Sequence, residues 1–166
     1  PDIMCLSKTV TGGFLPLGLT AVNELVFNAF YSDEQKHTFL HGHSYTGNPL
    51  CCASANAALE LMHKDDFWPK LKGIEKRISY HISRLKTHEF VRDARCVGAI
   101  GAIEVDRGGK SSYFNDSGKE IYKKLLQKGV ILRPLGNVFP VVLPYCIQEN
   151  DIDHIFNSLE EILNNN

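Results

Sequence analysis

The chain reads as an α/β protein, and three observations predict it. Apolar residues recur at helical spacing at Leu71, Ile74, Ile78, Ile82 and Leu85. A second stripe of that kind, Ile152, Ile155, Phe156, Leu159, Ile162 and Leu163, closes the chain. Between the stripes, residues 97–105, 130–133 and 138–143 are apolar runs of strand length, set off by glycine and proline. Strand and helix therefore alternate along the rear of the chain, as an α/β or α+β lobe.

The elements follow in order. Residues 3–6 (I-M-C-L) read as a short buried strand with Lys8 at its exit and a Thr-Gly-Gly turn after it. Residues 14–22 read as a buried, bent, extended segment that Pro16 keeps off a central ladder. Residues 23–30 are a short helix, and 31–43 a polar, histidine-rich loop. Asn48-Pro49 marks a helix start with proline at the first helical position. The run that follows, to Met62, is apolar on nearly every side and is expected to be buried all round. Asp65 or Asp66 then caps the first amphipathic helix. Residues 90–93 form a short extended piece, and 97–105 a strand whose Gly98 and Gly101 admit a close neighbour. A Gly- and Ser-rich loop spans 107–116, and a helix over 118–128 stops at Gly129. The last helix starts near Glu149, and residues 164–166 are a frayed tail.

Bulk properties narrow the function. A net charge of −1 over 166 residues gives no electrostatic case for nucleic acid or an anionic membrane. No apolar run reaches the length of a membrane span. The five cysteines, Cys5, Cys51, Cys52, Cys96 and Cys146, form no C-x-x-C pair and are expected to be buried free thiols, not zinc ligands. The chain starts at Pro1 and opens inside a strand, which leads us to expect the rear part of a longer protein.

Three segments carry chemistry. A lysine at the end of a buried strand can lose its proton, because low dielectric disfavours the ammonium form. A neutral amine is what covalent chemistry with a carbonyl cofactor requires. The alternative for Lys8 is an ordinary surface lysine. In H-G-H-S-Y-T-G-N-P-L, residues 41–50, glycines and three hydroxyls precede a helix start, a natural phosphate cradle or else a decorated turn. His37, His41 and His43 invite a metal, but no Cys or carboxylate set completes a ligand shell, so no metal is expected. In V-I-L-R-P-L-G-N-V, residues 130–138, Arg133 ends an apolar run and can grip a carboxylate with its guanidinium fork, or else lies free on the surface.

Together these segments resemble the fold-type I, class III aminotransferases that use pyridoxal 5′-phosphate. P-D-I-M-C-L-S-K-T-V-T-G-G is similar to the family's lysine motif, and H-G-H-S-Y-T-G-N-P-L to its phosphate-contacting loop. R-P-L-G-N followed by L-P-Y-C-I resembles the member that acts in biotin biosynthesis. The resemblance runs from Pro1 to about Ile162. It implies the rear of the large cofactor domain over residues 1–67 and an α+β small C-terminal domain over 68–166. It implies that Lys8 binds the cofactor covalently and then shuttles a proton, and that His43 and Ser44 contact the cofactor, Ser44 on the phosphate across a homodimer interface. Gly42 would line the substrate pocket, and Arg133 would hold a substrate carboxylate. The implied reaction moves an amino group from S-adenosylmethionine to 8-amino-7-oxononanoate, giving 7,8-diaminononanoate, in the cytoplasm and without nucleic acid or membrane partners.

The motif match has departures. Position 44 is serine where many relatives carry threonine, and Pro140 stands where an aromatic residue often follows the arginine by seven positions. The family's Gly-Ser phosphate turn, ring-stacking aromatic and pyridine-pairing aspartate are not among these residues, so residues 1–166 alone are expected to be inactive. Two other readings stay open: a class III aminotransferase with an ornithine-like or 4-aminobutyrate-like donor, and a non-catalytic folded lobe.

Overall fold

The two amphipathic stripes close on one core. In a computed structural model, which describes residues 1–108 and 110–165, they belong to the second of two units, Pro1–Phe67 and Trp68–Asn166. The stripe helices are α3 (Phe67–Leu85), which begins directly after Asp66, and α5 (Glu149–Asn164). Between them lie β3 (Val91–Val97), β4 (Ile100–Val105), α4 (Ser117–Gln127) and β5 (Val138–Val142). The first unit carries β1 (Ile3–Ser7), β2 (Gly18–Val22), α1 (Glu24–Phe30) and α2 (Pro49–Met62).

The sheet is antiparallel throughout, in the order β3-β4-β5. Alternate residues Gly101, Ile103 and Val105 of β4, and Phe139 and Val141 of β5, are buried, as period-two patterning requires when one face meets helices. Ile103, Val105, Phe139 and Val141 join Ile78, Leu85, Ile121, Ile152, Phe156 and Leu159 in a single cluster. Each such side chain stabilises the fold by about 1.5–3 kcal/mol. Pro140 sits in β5, which pairs with β4 only, so its missing N–H costs no ladder bond on the free edge.

Several expectations change. Residues 97–105 are not one strand: Gly98 takes a φ of 56° and the chain reverses, pairing Val97 with Ile100. Glycine at the first central position of a two-residue hairpin turn supplies the left-handed φ that this reversal needs. The neighbours pressing on Gly101 are the Ile78 and Ile82 side chains, 3.1 and 3.3 Å from where a Cβ would stand. Residues 130–133 are not a strand either. Val130 and Leu132 are buried and their neighbours exposed, so the alternation is real, but no strand among the described residues pairs with it. The tail is less frayed than expected: Asn164 ends α5 and Asn165 caps it, its N–H bonding to the Glu161 carbonyl, while Asn166 and Gly109 of the Gly/Ser loop lie outside the described residues.

A polar network that the hydrophobic pattern does not announce ties α3 to α5. Arg77 donates two hydrogen bonds to the Asp153 carboxylate, and His81 Nε2 lies 2.8 Å from Asp153 Oδ1. The Arg77 hydrogen bonds, followed by that from His81, hold the Asp153 carboxyl down to about 2 from 3.8. A depressed carboxylate contributes stability that is present above its unfolded pKa and lost as pH falls through the folded one. Stability of this unit is therefore expected to decline between about pH 3.8 and 2 in part through Asp153. Denaturant melts of Asp153→Asn should show a lower plateau at neutral pH and a flatter acid limb; an unchanged acid limb would remove Asp153 from the account.

In the first unit β1 (Ile3–Ser7) pairs antiparallel with β2 (Gly18–Val22), from Ile3 opposite Val22 to Ser7 opposite Gly18. Every residue of both strands is exposed, which corrects the expected buried strand and the buried segment over 14–22. A two-stranded ribbon has no third layer within the unit to cover either face. Helix α1 (Glu24–Phe30) is capped by the Asn23 side chain, which accepts from Val26 N at 3.0 Å; Asn23 Nδ2 also donates to Asp2 Oδ1. Helix α2 (Pro49–Met62) starts with Pro49 at N1 as expected, but it is not buried all round: only Cys51 and Ala55 are buried. Its remaining apolar surface faces outward, with Leu50 70% exposed. All five cysteines are free, but only Cys51 is buried and Cys96 half-buried; Cys5 lies on the open ribbon and Cys52 on the outer side of α2. Among the described residues no helix is long and apolar enough to cross a membrane.

Candidate active site

Strand β1 delivers Lys8 to the lip of an open cleft. The ladder ends at Ser7, and Lys8 opens a turn of 3-10 helix, Lys8–Thr11. Lys8 has a φ of 53°, the one non-glycine residue with a positive φ among those described. An L-residue pays about 1–2 kcal/mol for that left-handed conformation, so the surrounding turn must impose it. Three contacts do so. Gly12 N donates to Thr9 O and Gly13 N to Lys8 O, at 3.0 and 3.2 Å. Thr11, buried, donates its hydroxyl to Leu15 O.

The cleft, of about 1150 Å³, has Lys8, Phe14, His43, Tyr45 and Thr46 on its walls and Asn48 and Cys51 at the start of α2. The burial expected of Lys8 is not found, since the residue is exposed like the strand that carries it. Desolvation of its amine is thus not supplied by these residues.

The turn after Gly42 is tightly organised. His43 N donates to Thr46 Oγ1 and Tyr45 N donates to His43 Nδ1, both at 3.1 Å. A backbone N–H can only donate, so Nδ1 is the acceptor and the ring proton of the neutral imidazole sits on Nε2. Ser44 makes no hydrogen bond among the described residues through its hydroxyl or its amide, and the Gly47 amide is also open. By contrast, the first amides of α2 are taken: Asn48 Oδ1 accepts from Leu50 N at 2.9 Å and from Cys51 N at 3.4 Å. An anion at this turn would therefore meet hydroxyls and turn amides, not the helix terminus. Gly42 stands at the entrance of the turn, 3.5 Å from Thr46 Oγ1 at its would-be Cβ.

The three histidines do not converge. His37 Nδ1 lies 3.3 Å from Ala29 O, and His41 contacts the Phe39 ring. Among the described residues no group of three His, Cys, Asp or Glu side chains is placed to hold a metal. Arg133 belongs to the second unit, exposed on the unpaired segment between α4 and β5, with no ion-pair partner among the described residues. The structure thus brings Lys8 and His43 to one cleft, sets Gly42 and Ser44 on the same turn, and places Arg133 on a separate body.

The sequence matches the description "Aminotransferase class-III" over residues 1–163. The chain belongs to the class-III aminotransferase family. Among similar proteins are the adenosylmethionine-8-amino-7-oxononanoate aminotransferases of Synechococcus elongatus, 39% identical over 98% of this chain, and of Aquifex aeolicus, 37% identical over 96% of it. These alignments cover 38% and 36% of the relatives, so the chain spans little more than a third of their length. The crystal structure of the enzyme of that name from Methanocaldococcus jannaschii superposes with a TM-score of 0.90 at 34% identity, over 99% of this chain and 39% of that one.

Two residues already visible in the motif, one of its three hydroxyls and the asparagine at the helix start, take structural roles that the sequence did not assign. Thr46 and Asn48 organise the turn, and their signal was present as hydroxyl and amide side chains flanking Gly47 before a helix.

Proposed function

We propose that this chain is the lysine-bearing part of a pyridoxal 5′-phosphate-dependent aminotransferase of biotin biosynthesis. It transfers an amino group from S-adenosylmethionine to 8-amino-7-oxononanoate. Residues 1–67 are the rear of its large domain and 68–166 its small domain, in a cytoplasmic homodimer. The observation that carries the reading is Lys8, held in a left-handed backbone conformation on the wall of an open cleft, with the open Ser44 turn available to a cofactor phosphate across the homodimer interface. Family membership and the names of the relatives at 36–39% identity support the substrate assignment.

The donor set suits the cofactor. A primary amine can take its aldehyde carbon, and the free Ser44 hydroxyl with the open Ser44 and Gly47 amides suits a phosphate. When bound, the cofactor supplies the electron sink for labile C–H chemistry. The protein's part is different. Lys8 Nζ would hold the cofactor and move the proton at the substrate carbon, His43 would offer its Nε2–H from a fixed ring, and Arg133 would orient the oxo-acid carboxylate.

Borohydride reduction of the full-length holoenzyme followed by peptide mapping tests this. The label is expected on Lys8, and a label on another lysine overturns the reading. Arg133→Ala should raise KM for the oxo acid by the loss of a charge-assisted bidentate pair. That loss is about 2–3 kcal/mol, or roughly 30- to 150-fold, and lysine should restore it only in part. Residues 1–166 alone should hold no cofactor absorbance through gel filtration, because Lys8 is exposed here; a stoichiometric band would contradict that.

A further inference from the structure

We propose that Asn137 is a positioning residue for Arg133, fixing the loop from which the guanidinium reaches the substrate carboxylate. The inference rests on the assignment of Arg133 to that carboxylate.

Among the described residues Arg133 has no strand neighbour to hold it, because residues 130–137 join no ladder apart from the bridge between Leu135 and Val138. A bidentate contact tolerates only about half an ångström of misplacement, so something else must fix the segment. Buried Val130 and Leu132 anchor its approach. Asn137 anchors its exit. The residue is 2% exposed. Its Nδ2 donates to Val105 O at 3.0 Å, its Oδ1 accepts from Ser111 Oγ at 3.1 Å, and its main-chain carbonyl accepts from Val105 N at 2.9 Å. One side chain thus ties the Arg133 segment to the end of β4 and to the loop before α4. The site needs a donor and an acceptor at once, which an amide supplies and a carboxylate or an alkyl group does not.

The packing beside it leaves no slack. A Cβ on Gly118, in the first turn of α4, would stand 2.0 Å from Gly136 O and 2.8 Å from Pro134 Cβ. Gly136 itself has a φ of 63° and would place a Cβ 1.9 Å from Ser112 O. The backbone on either side of Leu135 is therefore wedged between α4 and the loop that supplies Ser111, and Asn137 closes the wedge. An amide buried to this degree is costly unless fully bonded. Here its bonds run to two segments that flank the Arg133 loop, which is where a positioning device must attach.

The test is a double-mutant cycle in the full-length holoenzyme. Asn137→Ala is expected to raise KM for the oxo acid about 10-fold, and Ser111→Ala about 3-fold, from the loss of two hydrogen bonds and of one. KM for the amino donor should stay unchanged and kcat should change far less than KM. In an Arg133→Ala background both effects should vanish, since Asn137 acts only through Arg133. If Arg133→Ala raises KM but Asn137→Ala and Ser111→Ala do not, or if they raise it equally without Arg133, the positioning role is overturned and the Arg133 assignment stands. If Arg133→Ala itself leaves KM unchanged, the Arg133 assignment falls and the inference with it. Should Asn137→Ala be unfolded at the assay temperature, Ser111→Ala decides the same cycle alone.

Discussion

Lys8→Ala in the full-length enzyme is expected to abolish amino transfer while the cofactor still binds through the phosphate turn. Two contributions vanish together. On the proposed assignment, the amine that would hold the cofactor's carbonyl carbon is gone, and so is the base that would carry the proton at the substrate carbon. Loss of a positioned general base alone costs about 10²–10⁴-fold. The proposed phosphate contacts are on a separate loop, whose His43, Thr46 and Asn48 bonds make no use of Lys8. Single-turnover transfer measured beside equilibrium cofactor binding checks the separation. Turnover within tenfold of the parent would show that another group carries the proton.

Phe156→Ala is expected to destabilise the second unit by about 3–5 kcal/mol. Phe156 is 1% exposed, and its ring lies parallel to that of His81, 4.8 Å between centroids. Removing it leaves a cavity at the centre of the α3–α5 contact and strips one wall from the histidine that bonds Asp153. For a unit of this size the melting temperature should fall by more than about 10 °C. A loss below about 1 kcal/mol would mean that the neighbouring side chains close the gap. Measured with Asp153→Asn, the pair should be non-additive, because both act on His81.

Much of the second unit is legible in the sequence because its stripes are complete within it. Ile78, Ile82, Phe156 and Leu159 repeat at helical spacing and find one another inside the unit. The misread parts have a common cause. Residues 130–133 alternate as a strand does, yet alternation reports burial of one side, not the presence of a pairing partner. The hairpin at Gly98 was hidden because apolar residues flank the turn on both sides. In the first unit, the apolar character of Ile3, Leu6, Leu19 and Leu50 suggests burial, but these residues are exposed. Hydrophobicity says that a surface is to be covered, and not by what. The cleft residues were legible as motifs, Lys8 after a strand and hydroxyls before Pro49. The backbone angle at Lys8 and the capture of the α2 amides by Asn48 were not, since both depend on three-dimensional closure of the turns.

At Lys8, folding and the proposed chemistry pull in opposite directions. A φ of 53° is a place where glycine is at ease and every side chain is a burden. Lys8→Gly should therefore unfold at equal or higher temperature than the parent, and be more stable than Lys8→Ala by about 1 kcal/mol. A search for stabilising substitutions, scored on melting temperature alone, would pick glycine at this position and discard the amine.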